Sequence, residues 1–224
     1  PLNGILGYAQ ILQGKDDLDD HTVDSIGMMR QSGEHLLTLI EDMLDLAKIE
    51  AQRMEIVPER TYLPSFFKTV VSIIQSRAQS NSIVFVVDLA DDLPTAILAD
   101  ETRLRQVLLN LLGNAVKFTP SGQIILRVRQ IPQTISDLTP NTALLRFAVE
   151  DTGIGIAADL LETIFQPFEQ AGDHRHRAKG VGLGLPISYQ LVDLMGGALR
   201  AESQMGQGSR FWFDITVPIV EGDT

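Results

Sequence analysis

Between residues 26 and 47, apolar side chains recur at alternating steps of three and four. Ile26, Met29, Gly33, Leu36, Ile40, Met43 and Ala47 form a heptad seam that only Gly33 weakens. Glu41, Asp42, Asp45 and Glu50 fall outside it. The opening PLNGILGYAQILQG carries Leu2, Ile5, Ala9 and Leu12 on one side and predicts a shorter helix, with the polar KDDLDD as the link. Two antiparallel helices alone cannot bury a seam of this length. The pattern predicts half of a four-helix bundle completed by a second copy of the chain, a homodimer. The alternative is a hairpin packed against the rest of its own chain.

Near residue 54 the pattern changes to mixed helix and strand. YLPSFFKTVVSIIQSRAQ predicts a helix with Phe66, Val70 and Ile73 inward, and SIVFVVDL predicts a strand. DETRLRQVLLNLLGNAVKF is strongly amphipathic, and QIILRVRQI and LLRFAVED are strands. LPISYQLVDLMGG is a helix that stops at a Gly pair, and two closing strands flank the turn QMGQG. The expected class is α+β. A helical hairpin over 1–53 forms the dimeric bundle, and an α/β sandwich follows over 54–224, one mixed sheet under one helical layer.

Composition narrows the partners. A net charge of −11 on 224 residues suits a phosphate backbone poorly, so nucleic acid is set aside. With no cysteine, neither a disulfide framework nor a thiolate metal site is possible. No apolar run reaches the roughly 18–20 residues of a membrane-spanning helix, and no signal peptide is visible. A cytoplasmic location is expected, with the parent protein's membrane attachment left open. The start at Pro1, inside a helical pattern, suggests a piece of something longer.

The candidate chemistry lies in the glycines. In AKGVGLGLPIS, Gly180, Gly182 and Gly184 lead straight into a predicted helix. Glycine admits positive φ and close approach, and a helix start offers unpaired N–H groups, so the pair suits a phosphate. The run is neither a P-loop nor a dinucleotide fingerprint. Upstream, VEDTGIGIAAD sets Asp151, Gly153 and Gly155 at a strand end, where the carboxylate can accept from a ligand amine. An ordinary turn reads the same way. Asn110, Asn114 and Lys117 share one face of the amphipathic helix, a credible place for hydrated Mg²⁺ and phosphate or else a solvated stripe.

Taken in order, NLLGNAVKF, DTGIGI, FQPFEQ, GVGLGL and GQGSRFWF resemble the N, G1, F, G2 and later glycine boxes of sensor histidine kinases. PLNGILGYAQIL and LLTLIEDMLDLAKIEA resemble the two helices of their dimerisation and phosphoacceptor domain. The resemblance implies ATP and Mg²⁺ as ligands. Asp151 would hydrogen-bond the adenine amino group, with Gly153, Gly155 and Ile156 against the base. Asn114 would ligate Mg²⁺ with Asn110 beside it. Lys117 would contact phosphate and Phe118 would lie by the nucleotide. Gly180, Gly182 and Gly184, with the N–H groups around Leu183 and Leu185, would hold the phosphates. Phe165 and Phe168 would anchor a lid, AGDHRHRAKG, whose Arg175, Arg177 and Lys179 are a basic cluster suited to phosphate. Asp100, Arg103 and Gln106 match a pattern before the N box with a structural role.

The implied reaction passes the γ-phosphate of ATP to a histidine on the first bundle helix and then to an aspartate of a response-regulator receiver domain. The acceptor is expected just upstream of Pro1, so these 224 residues are expected to bind ATP without phosphorylating themselves. His21 and His35 are not substitutes, and His174 and His176 lack a third ligand for a metal. Val181 stands where the family often has Thr, and Lys179 where glycine is common. Two other readings stay open. ATPases of the same fold place at the Asn110 position a glutamate that activates water. A degenerate dimeric scaffold would need no nucleotide.

Overall fold

The computed structural model describes residues 2–13, 19–132, 141–167 and 182–220. They form two compact units, Pro1–Met54 and Glu55–Thr224.

In the first unit, α1 (Leu2–Gln13) packs along α2 (Asp20–Glu50). Asp19 caps α2, its carboxylate accepting from Thr22 N at 2.9 Å and from the Thr22 hydroxyl at 2.7 Å. The glycine that interrupts the heptad has a purpose: a Cβ at Gly33 would lie 2.7 Å from Leu6 Cδ2 and 3.7 Å from Leu2 Cδ1. Leu2 and Leu6 therefore sit directly on α2, and Ala9 and Ile26 are buried. Ile5 and Leu12, expected on that inward side, are exposed. The inward row of α1 steps 2, 6, 9 rather than 2, 5, 9, 12. The rest of the seam is open within one chain, with Met29 63%, Leu36 49%, Ile40 44% and Met43 50% exposed. Four large apolar side chains along one helix face match the row a second hairpin would cover.

The second unit is a seven-stranded mixed sheet under three helices. Its strands are β1 (Glu59–Tyr62), β2 (Ile83–Leu89), β3 (Ala96–Ala99), β4 (Gly122–Gln130), β5 (Thr142–Asp151), β6 (Ala198–Gln204) and β7 (Gly208–Val220). The order is β1-β3-β7-β5-β4-β2, with β6 also on β7. Strand β7 gives one edge to β5 along its length. It shares the other between β6, as Phe213 opposite Leu199, and β3, as Ile219 opposite Ile97. Among the described strands only β2 and β4 run parallel. Helices α3 (Leu63–Ser80), α4 (Glu101–Phe118) and α5 (Gly184–Leu194) form the covering layer, with α4 between the other two.

Alternation along the strands supplies the core. Ile124, Leu126 and Val128 of β4, Leu145 and Phe147 of β5, and Phe213 and Ile215 of β7 are fully buried. The Phe147 and Phe213 rings stack at 5.0 Å. The opposite face is charged: Asp214 takes a two-pronged pair from Arg146 at 2.7 Å, and Arg127 bridges Asp88 at 3.0 Å and Glu150 at 3.4 Å. On α3 the buried row is Phe66, Val70 and Ile74, so Ile73, expected inward, gives way to its neighbour one i+4 step after Val70.

Two outcomes are expected. Phe213→Ala lowers unfolding stability by about 3–5 kcal/mol in urea, because the stacked core cannot close over the void. Ile40→Glu, which puts a charge on the open seam, shifts the chain from dimer to monomer in sedimentation while leaving its circular dichroism unchanged.

Candidate functional site

Helix α4 is fixed at its start and along one face. Asp100 caps it, Oδ1 accepting from Arg103 N and Oδ2 from Val57 N, both at 3.0 Å. Arg103 donates to Gln106 at 2.8 Å. The pattern before the N box is thus a cap and a side-chain clamp. Leu104, Val107, Leu108, Leu111, Leu112 and Ala115 are buried. Asn110, Asn114 and Lys117 lie outside that apolar face.

Asn110 joins α4 to α5. Its Nδ2 donates to Ser188 Oγ at 2.7 Å, and Ser188 is only 1% exposed. Its amide lies flat on Gly184: a Cβ there would overlap Oδ1 and come within 2.8 Å of Cγ and Nδ2. The last glycine of the GVGLGL run is therefore demanded by a side chain of the N box.

The turn after β5 is held by main chain. Phe118 O accepts from Ile154 N at 3.1 Å, and a Cβ on Gly153 would overlap that same carbonyl. Gly155 has φ +70°, and a Cβ there would overlap Gln204 O at the end of β6. Ile156 N donates to Ser203 Oγ at 2.7 Å, and Gly206 N to Ile154 O at 2.8 Å. Asp151 Oδ1 accepts from Gly153 N at 2.8 Å. Burial raises the Asp151 pKa above the ordinary aspartate value, partly offset by backbone hydrogen bonds from Gly153 and Ser209. Partial burial lowers that of Lys117, whose ammonium lies 4.7 Å from the Phe118 ring centroid.

Helix α5 starts bare. Gly182 takes φ +77°, and Leu183, buried at the N-cap, offers no side-chain cap. The N–H groups of Gly184 and Leu185 have no intrahelical partner, and Pro186 has no N–H to satisfy. Phe165 packs on Tyr189 of this helix, ring centroids 5.3 Å apart. Phe168, Arg177, Lys179 and Gly180, with Arg175, Val181, His174 and His176, lie outside the described residues. His21 is an exposed residue of α2.

The donors suit a polyphosphate with a hard cation: bare helix N–H groups and a lysine for anions, amide oxygens for a metal that prefers oxygen. Among the described residues no group of three His, Cys, Asp or Glu could hold a metal, and no helix is long and apolar enough to cross a membrane. Sequence reasoning missed Ser188 and Ser203. Each is a lone serine whose partner lies far along the chain, 78 residues for Ser188 and 47 for Ser203.

Comparison with known proteins bears on both units. Residues 99–219 match the histidine kinase-, DNA gyrase B- and HSP90-like ATPase family, and residues 1–52 match the His Kinase A (phospho-acceptor) domain. The sensor protein GacS of Pseudomonas syringae is 37% identical over 224 residues, 100% of this chain and 24% of that protein. The sensory/regulatory protein RpfC of Xanthomonas campestris is 37% identical over 222 residues, 99% of this chain and 30% of that one. The chain thus spans less than a third of the length of either relative. The crystal structure of full-length ShkA in complex with AMPPNP superposes with TM-score 0.77 at 36% identity, covering 99% of this chain and 44% of that one. Phospho-acceptor hairpin followed by ATPase-type domain, in that order, is the organisation of a sensor kinase, and this chain belongs to the sensor histidine kinases of two-component signalling.

Proposed function

We propose that this chain is the ATP-binding, phosphoryl-donating core of its kinase, with a histidine as acceptor on the first bundle helix, just before Pro1 in the longer protein. The observation that carries this reading is Asn110 lying on Gly184. It sets the Asn110 end of the polar stripe of α4 against the start of α5, whose first N–H groups have no intrahelical partner.

In this reading Asp151 accepts from the adenine amino group, and Gly153, Gly155 and Ile156 line the base. Phe118 lies by the nucleotide. Asn114 ligates Mg²⁺ and Asn110 stands beside it. Lys117 and the N–H groups of Gly184 and Leu185 hold phosphate, with Gly180, Gly182, Leu183, Arg177 and Lys179 from the glycine run and lid, and Phe165 and Phe168 at the lid's base. Bound Mg²⁺ supplies charge neutralisation on the phosphate oxygens. The protein's own share is positioning and fixed donors. In the transfer, the bond from the γ-phosphorus to the β–γ bridging oxygen breaks, a P–N bond to the acceptor imidazole forms, and ADP leaves. The phosphoryl group then moves to a receiver-domain aspartate of a response regulator, and the hairpin seam holds two copies together.

Asn110 argues for transfer rather than hydrolysis. A carboxamide cannot take a proton from water, and its Nδ2 is already given to Ser188.

Calorimetric titration tests the reading. ATP should bind saturably and more tightly with Mg²⁺, and Asn114→Ala should remove that Mg²⁺ advantage, weakening MgATP about tenfold or more. A folded wild-type sample that takes up no ATP would overturn the proposal. The buried carboxylate gives a second test. Asp151→Asn should weaken ATP about ten- to a hundredfold. Because burial raises its pKa, Asp151 takes its proton, coming down from neutral pH, before an ordinary aspartate does. A protonated carboxyl accepts poorly, so wild-type affinity should decline over that interval while the Asp151→Asn affinity changes less.

A further inference from the structure

The Asn110 amide on the α4 stripe is held at two points on α5. One point is Gly184 at the first position of α5, and the other is Ser188 a single turn further on. The two contacts divide the amide between them. Nδ2 is used by the serine hydroxyl at 2.7 Å, and Oδ1 is left against Gly184, at the N-terminal end of α5. An asparagine amide can rotate by half a turn and exchange its oxygen and nitrogen with little change of shape. The Ser188 hydroxyl can donate as well as accept, so it holds the amide in place in either orientation. Ser188 is almost wholly buried, as are Ile187 and Leu191 of the same helix.

We propose that Ser188 is a positioning residue of the nucleotide site. By hydrogen-bonding the Asn110 amide it fixes that side chain on the start of α5 and locks α4, which carries Asn114 and Lys117, to the helix start that faces phosphate. The proposal rests on the nucleotide-site reading above. It assigns to Ser188 no contact with nucleotide or metal. Its effect reaches the ligand through Asn110, and chiefly at the phosphate and Mg²⁺ end, because the Asp151 turn is also braced from outside α4, by Ser203 and Gly206.

Three features follow. In Ser188→Ala the half-buried Asn110 amide loses its partner, and MgATP affinity should drop about tenfold, the scale of one lost hydrogen bond. Adenosine, which reaches only the Asp151 end, should bind the variant as it binds wild type. Since the serine acts through the asparagine, Asn110→Ala combined with Ser188→Ala should be no weaker for MgATP than Asn110→Ala alone.

The experiment is a calorimetric double-mutant cycle on the 224-residue chain. It uses wild type, the two single variants and the double, each titrated with MgATP and with adenosine. Thermal unfolding of the ligand-free proteins is recorded beside it. Ser188→Thr, which keeps the hydroxyl, should retain wild-type MgATP affinity and serves if Ser188→Ala does not fold. Equal losses for MgATP and adenosine would overturn the proposal in favour of a purely structural serine. So would losses at the two positions that multiply, or a Ser188→Thr as weak as the alanine variant. Wild type that fails to bind MgATP would sink the nucleotide site itself, whereas tight wild-type binding with an indifferent Ser188→Ala would sink only the role of Ser188.

Discussion

Helix α4 has one apolar face and one place to put it. Six buried side chains from Leu104 to Ala115 hold that face in the core, and Asp100 fixes where the helix begins. Rotation of the helix by a quarter turn would bury Asn110 and Lys117 and expose leucines, at several kcal/mol for each large residue displaced. The packing that stabilises the domain is thus the same packing that aims the polar stripe. Sheet, helix and site are one constraint seen at three scales, and the fully buried Phe147–Phe213 stack belongs to the core on which it depends.

The glycines answer to contacts made within the protein as much as to any ligand. Gly153 is set against Phe118 O, Gly155 against Gln204 O, and Gly184 against the Asn110 amide. Each motif is therefore tied to another: the turn after β5 to the end of α4 and to the β6–β7 turn, the start of α5 to the middle of α4. A substituted glycine would move two elements at once. This explains in physical terms why boxes so far apart in sequence occur together, since each supplies the surface that another's missing side chain requires.

How much of this was legible in the sequence depends on the range of the interaction. The amphipathic helices and the long strands announce themselves by period, and the sandwich with one mixed sheet follows from their order. The strands ERTY and AILA were not legible. Each has four residues, and Glu59 finds Ala99 only through the tertiary fold. Ile73 and Ile74 stand side by side in an apolar run, and only the packing decides which turns inward. Gly33 reads as a flaw in a heptad until Leu6 is seen lying on it. The N, G1, F and G2 boxes were readable as a set of resemblances. Ser188, on the apolar side of α5 with a partner 78 residues away, carries no pattern of its own.

In the proposed reaction the domain hands a phosphoryl group to a histidine rather than to water. The most direct measurement uses the longer protein, with the hairpin's first helix complete, incubated with γ-³²P-labelled ATP and Mg²⁺. Protein-bound label that is lost in acid, stable in base and absent from an Asn114→Ala variant is the predicted result. Label released only as inorganic phosphate, with none on the protein, would contradict it and make the domain an ATPase.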